Sequence, residues 1–167
     1  LLDLSRLESG AAPLQRQRFE VAQLLEQAVR ESRLHAHDVD LSIDVTPPGL
    51  TADGDPERVH QVVANLIENA VRHSPKGGTV LVTACGTRDL VRIEVSDEGP
   101  GIPESEATRV FERFYRADAA RSSTQGGTGL GLAIARWIVD LHGGDIRVES
   151  RVPHGCRMVV ELPSKAA

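Results

Sequence analysis

The chain has 167 residues, 40% of them hydrophobic, which suits one globular domain with a substantial buried core. A formal net charge of −5 supplies no overall basic field, which excludes a general nucleic-acid or acidic-lipid binder, so any phosphate must be met by a local arrangement. No apolar run is long enough for a membrane span and no basic-then-apolar leader opens the chain, so these residues are expected to be soluble and not membrane-embedded.

Leu1, Leu4 and Leu7 have helical spacing without an N-cap, which predicts the tail of a helix cut from something longer. Gly10 to Pro13 breaks it, and the polar stretch that follows reads as a linker to a domain whose body starts near Phe19. A helix is predicted over 21–36, with Leu24, Leu25, Ala28, Val29 and Leu34 on its apolar face. Val39, Leu41, Ile43 and Val45 then alternate with polar residues as a half-buried strand, closed by Pro47-Pro48-Gly49. Asp55-Pro56 is a helix start, because Asp accepts orphan N–H bonds and Pro is tolerated in the first turn. That helix is predicted to run to about Ser74.

Val80, Val82 and Ala84, then Val91, Ile93 and Val95, then Ile146 and Val148, and finally Cys156, Met158, Val160 and Leu162 mark further one-sided strands. Strands apolar on one face belong to a sheet covered on one side, so the expected fold is a two-layer α/β sandwich with helices on one face. Cys85 and Cys156 lie within these alternations, without metal or redox spacing, and read as buried reduced thiols.

Three segments carry chemistry. The first is Asn65-Leu66-Ile67-Glu68-Asn69-Ala70, followed by Arg72-His73. Val59, Val62, Val63, Leu66 and Ala70 form the buried stripe of this helix, and Asn65, Asn69 and Arg72 form an adjacent stripe, with His73 between the two. Asparagine is a poor helix former, so two of them ask for compensation. Either they cross-link neighbouring loops, or Asn69 offers a hard carbonyl oxygen to Mg²⁺ while Arg72 faces phosphate. Glu68, four residues before Arg72, reads as its solvent-side ion-pair partner.

The second segment is Asp97-Glu98-Gly99-Pro100-Gly101. It is either an Asx-type turn or a base reader, since a carboxylate accepts from the adenine amino group and repels the guanine carbonyl. The glycines would let backbone approach a flat ligand. Glu104 stands where a dinucleotide fingerprint would place its third glycine.

The third segment, Gly126-Gly127-Thr128-Gly129-Leu130-Gly131-Leu132, runs into an amphipathic helix through Ile134, Trp137, Ile138 and Leu141, ended by Gly143-Gly144. Free N–H groups and a helix dipole favour an anion there, and no P-loop occurs. Residues 116–125 are small and polar, suited to a mobile lid, and Arg116 is either a solvated charge or the cation that reaches the terminal phosphate.

These residues resemble the catalytic and ATP-binding domain of bacterial sensor histidine kinases, within the gyrase, heat-shock-chaperone and mismatch-repair ATPase superfamily. Residues 65–74 are similar to the N box, 97–101 to the first glycine box, Phe111-Glu112-Arg113-Phe114-Tyr115 to the F box and 127–131 to the second glycine box. The resemblance implies the Bergerat-type fold with a left-handed βαβ unit, ATP and Mg²⁺ as cofactors, and a division into residues 1–12 as the end of an upstream dimerisation hairpin and 13–167 as the catalytic domain. It implies nucleotide contacts by Asn65, Asn69, Arg72, His73, Asp97, Gly99, Gly101, Ile102, Gly127, Thr128, Gly129, Leu130 and Gly131, with Asn69 as the metal ligand and Arg116 as the catalytic cation.

The implied reaction is phosphoryl transfer to a histidine of the protein's own dimerisation and phosphoacceptor domain, then to a response regulator, from a cytoplasmic domain of a membrane-anchored parent. Hydrolysing relatives carry a water-activating Glu where this chain has Asn65; a neutral amide is no general base, so transfer is favoured over hydrolysis. No histidine here has the family's acceptor context, so this chain is expected to bind ATP without phosphorylating itself. A nucleotide-gated binding module and an anti-sigma-type serine kinase are the alternatives.

Overall fold

The computed structural model of the protein describes residues 13–36, 38–87, 89–107, 109–112, 131–150 and 154–163. The expected helix end at 1–12, the lid at 116–125 with Arg116, and Gly127, Thr128, Gly129 and Leu130 lie outside the described residues.

The elements in chain order are β1 (Gln17–Glu20), α1 (Val21–Arg33), β2 (Asp40–Thr46), β3 (Thr51–Gly54), α2 (Pro56–His73), β4 (Thr79–Gly86), β5 (Leu90–Asp97), two 3₁₀ turns (Glu104–Glu106 and Arg109–Phe111), α3 (Gly131–Leu141), β6 (Asp145–Ser150) and β7 (Cys156–Pro163). Five strands form one mixed sheet in the order β2-β4-β5-β7-β6, parallel between β2 and β4 and antiparallel elsewhere. Register puts Ile43, Val82, Val95, Met158 and Val148 in a single row across it.

Alternation decides the layers. Val80, Val82, Ala84, Val91, Ile93, Val95, Met158, Val160 and Leu162 are buried and pack in one core with Leu25 and Val29 of α1, Val62, Val63 and Leu66 of α2, and Ile138 of α3. This is the expected two-layer sandwich. The other face carries charge: Glu161 accepts from Arg92 at 3.2 Å and from Arg147 at 3.0 Å, while Arg157 lies 3.3 Å from Glu94 and 3.6 Å from Glu149.

Three expectations need correction. Cys156 is buried but Cys85 is exposed, because Val82 and Ala84 point to the core and the period of two sends residue 85 outward. Leu34 is 69% exposed, since α1 ends at Arg33 and Leu34 is its C-cap. The presumed linker contains β1, which pairs antiparallel with β3; neither strand has an apolar alternation to announce it. No helix among the described residues is long and apolar enough to cross a membrane.

Candidate nucleotide site

Asp55 caps α2, accepting from the Arg58 N–H at 3.4 Å, with Pro56 as the first helical residue. The cap fixes where the helix begins and so where its polar stripe falls. Asn69 is 5% exposed, and its Oδ1 accepts from Arg72 Nη2 at 3.2 Å. Its backbone carbonyl lies 3.0 Å from His73 Nδ1; a carbonyl only accepts, so Nδ1 carries the proton and Nε2 the lone pair of the neutral ring. Burial first, and the neighbouring Arg72 charge second, hold the His73 pKa below the ordinary 6.5, so the ring is neutral at pH 7. Glu68 pairs with Arg72 at 3.8 Å on the solvent side, as its spacing suggests.

Asn65 is engaged at both ends of its amide. Oδ1 accepts from Gln61 Nε2 at 2.7 Å, and Nδ2 donates to the Gly131 carbonyl at 2.9 Å. The last residue of the glycine run is thereby tied to the middle of α2.

Asp97 ends β5 with 2% exposure, and its Oδ1 accepts from the Gly99 N–H at 2.9 Å. The Asx-type turn is therefore present, and a carboxylate has lone pairs for further donors. The need for glycine at 99 has a different origin from ligand approach: a Cβ there would fall on the His73 carbonyl oxygen. Close backbone contact thus joins the end of α2 to the turn after β5. Gly101, at φ +84°, adopts a left-handed conformation, and Ile102 packs half-buried against the core.

Two contributors escape a reading by motif. Gly155 supports the turn from below, where a Cβ would overlap the Asp97 carbonyl, and His154 Nδ1 lies 3.3 Å from the Gly99 carbonyl. The only sequence signal for them is a glycine before a strand. Asn69, Arg72, His73, Asp97, Gly99 and Gly131 are thus linked through Asn65 and the Gly99 contact. Among the described residues no three His, Cys, Asp or Glu side chains converge as a metal cluster.

A family model described as histidine kinase-, DNA gyrase B- and HSP90-like ATPase matches residues 54–166. The probable sensor histidine kinase TcrY of Mycobacterium tuberculosis is 41% identical over 164 residues, 98% of this chain and 34% of its own length. The solved mycobacterial sensor histidine kinase MprB superposes with a TM-score of 0.79 at 30% identity, over 92% of this chain and all of that one. Histidine kinase ThkA, solved in complex with the response regulator protein TrrA, gives a TM-score of 0.77 at 27% identity, over 97% of this chain and 48% of that one.

The chain therefore belongs to the histidine kinase-, DNA gyrase B- and HSP90-like ATPase family, as an ATP-binding catalytic domain of the sensor histidine kinase type. Its mixed five-stranded sheet with helices on one face is the Bergerat-type fold of those domains. It spans between 22% and 34% of the length of the first curated relatives it matches.

Proposed function

We propose that this domain binds Mg·ATP between the polar edge of α2, the turn after β5 and the start of α3, and transfers the γ-phosphoryl group to a histidine nitrogen on its protein's dimerisation domain, for relay to a response regulator. In this reading the parent protein is anchored in the bacterial cell membrane, with this domain on the cytoplasmic side. The observation that carries the reading is the contact of Gly99 with the His73 carbonyl, which sets a buried carboxylate beside the helix edge that bears Asn69 and Arg72.

Asp97 accepts from the adenine amino group. Arg72 meets phosphate oxygens as a cation, while His73 stands near them as a neutral ring whose Nε2 lone pair accepts rather than donates. Gly127, Thr128, Gly129 and Leu130 offer N–H groups to the phosphates, and Arg116 approaches the terminal one. Magnesium fits the donor set: Asn69 Oδ1 is a hard, uncharged oxygen with one bond to Arg72, and Mg²⁺ takes few protein ligands beside phosphate and water. When bound, it neutralises charge on the transferring phosphoryl group.

Asn65 disfavours hydrolysis on two grounds. An amide is no base, and both of its ends are already bonded to protein.

The test supplies the domain with Mg²⁺, labelled ATP and a separate polypeptide carrying the parent protein's acceptor helix. Acid-labile label on the acceptor histidine is the expected result. Tight ATP binding with no transfer would instead support a nucleotide-gated binding module.

A further inference from the structure

α2 and α3 run antiparallel, and α3 is pinned to α2 at both of its own ends. At one end Asn65 holds Gly131. At the other, the Asp55 N–H donates to His142 Nε2 at 3.0 Å, and His142 Nδ1 donates to the Ile138 carbonyl at 2.8 Å. An N–H on one side and a carbonyl on the other admit a single state of the ring: neutral, with its proton on Nδ1.

The imidazole is 3% exposed and seated by Gly54, where a Cβ would lie 2.7 Å from its Cδ2 and 2.9 Å from its Nε2. The charged groups that face it are Asp55 and Arg58 from the head of α2 and Arg16 from the segment leading into β1. Apart from Arg58 Nη1, which is buried without a hydrogen-bond partner among the described residues, these groups are already engaged. Asp55 Oδ2 accepts from the Gln15 N–H at 2.9 Å and lies 3.5 Å from Arg58 Nε, Arg58 Nη2 donates to the Pro13 carbonyl at 3.2 Å, and Arg16 Nη2 donates to the Leu141 carbonyl at 3.3 Å. On the core side His142 lines a small cavity with apolar residues, among them Val59, Val62, Ile138 and Leu162.

We propose that His142 is a positioning residue for the nucleotide site: its neutral ring fixes α3 lengthwise against α2, which keeps the phosphate-binding start of α3 at Asn65, on the α2 edge that also bears Asn69 and Arg72. The inference rests on the reading of that site as a triphosphate site. Protonation turns Nε2 into a donor facing the Asp55 N–H, and the far pin is lost. Burial is the largest influence and lowers the His142 pKa below 6.5, so the pin is intact at pH 7. Its contribution is fully present above the unfolded value of 6.5 and is lost as the pH falls through the lower folded value.

The experiment compares the wild-type domain, His142→Gln and His142→Ala by calorimetry with Mg·ATP and with adenosine, at about pH 7.5 and at lower pH as far as circular dichroism shows each sample folded. Adenosine engages the Asp97 end and leaves the phosphate end empty, so the ATP-to-adenosine affinity ratio reports the placement of α3. In the wild type the ratio should fall with pH more steeply than in His142→Gln, whose amide oxygen still accepts from Asp55 but does not titrate.

In folded His142→Ala the ratio at the higher pH should be lower by roughly fivefold to tenfold, the size of one lost neutral hydrogen bond. Titration of the ATP phosphates and of His73 is common to all three proteins and cancels. An unchanged ratio in folded His142→Ala would overturn the proposal. A folded wild type that binds no ATP at the higher pH would sink the triphosphate reading itself, and this inference with it.

Discussion

Asp97→Asn is expected to weaken Mg·ATP binding roughly 10- to 100-fold, the worth of a charge-assisted hydrogen bond in a buried site. The side chain is 2% exposed, and one carboxylate oxygen already accepts from the Gly99 N–H. Asparagine can keep that bond through its carbonyl, so the turn survives and circular dichroism should show an unchanged fold. The other end of the side chain becomes an NH₂ donor, set against the adenine amino donor and compatible with the guanine carbonyl. Calorimetry with ATP and GTP should show the preference for ATP shrinking. Unchanged ATP affinity in the folded variant would remove Asp97 from the base-reading role.

Gly99→Ala should do more damage with a smaller chemical change. The added methyl would fall on the backbone carbonyl of His73, and that carbonyl ends α2, so neither partner has a flexible side chain that can yield. Overpacking of this kind costs roughly 1–3 kcal/mol of stability. The turn must move away from the helix end, which separates Asp97 from Asn69 and Arg72. A lowered melting temperature together with loss of ATP binding is expected; a variant that melts and binds like the wild type would show that the two segments do not need this contact.

Much of the sandwich was legible because period-two alternation runs through most of the main sheet from Leu41 to Leu162, broken where Ser96 of β5 and Val159 of β7 are buried out of phase. β1 and β3 were not, since Gln17-Arg18-Phe19-Glu20 and Thr51-Ala52-Asp53-Gly54 form a small sheet of their own with almost no apolar face. Cys85 was misjudged by counting it with the alternation rather than by its parity. In the site, helical spacing identified the Asn65, Asn69 and Arg72 edge, and the glycine run pointed correctly to a helix start at Gly131.

What spacing could not reveal is tertiary coincidence. The Asp55, Arg58 and His142 group is assembled from the head of α2 and the residue after α3, 87 positions apart between Asp55 and His142. Gly99 read as an opening for a ligand, whereas the partner that demands it is the chain itself.

The unequal setting of the two thiols has a practical side. Burial, with Asp97 nearby, pushes the Cys156 thiol up to about 12, and its side chain is sealed beneath the sheet, whereas Cys85 sits on the sheet's outer surface. A maleimide dye at neutral pH should therefore attach once, at Cys85, as intact mass would record, because only an accessible thiolate reacts. That gives a single tether, on the side of the sheet turned away from the helices, from which the domain can be immobilised or followed by fluorescence without obstructing its nucleotide.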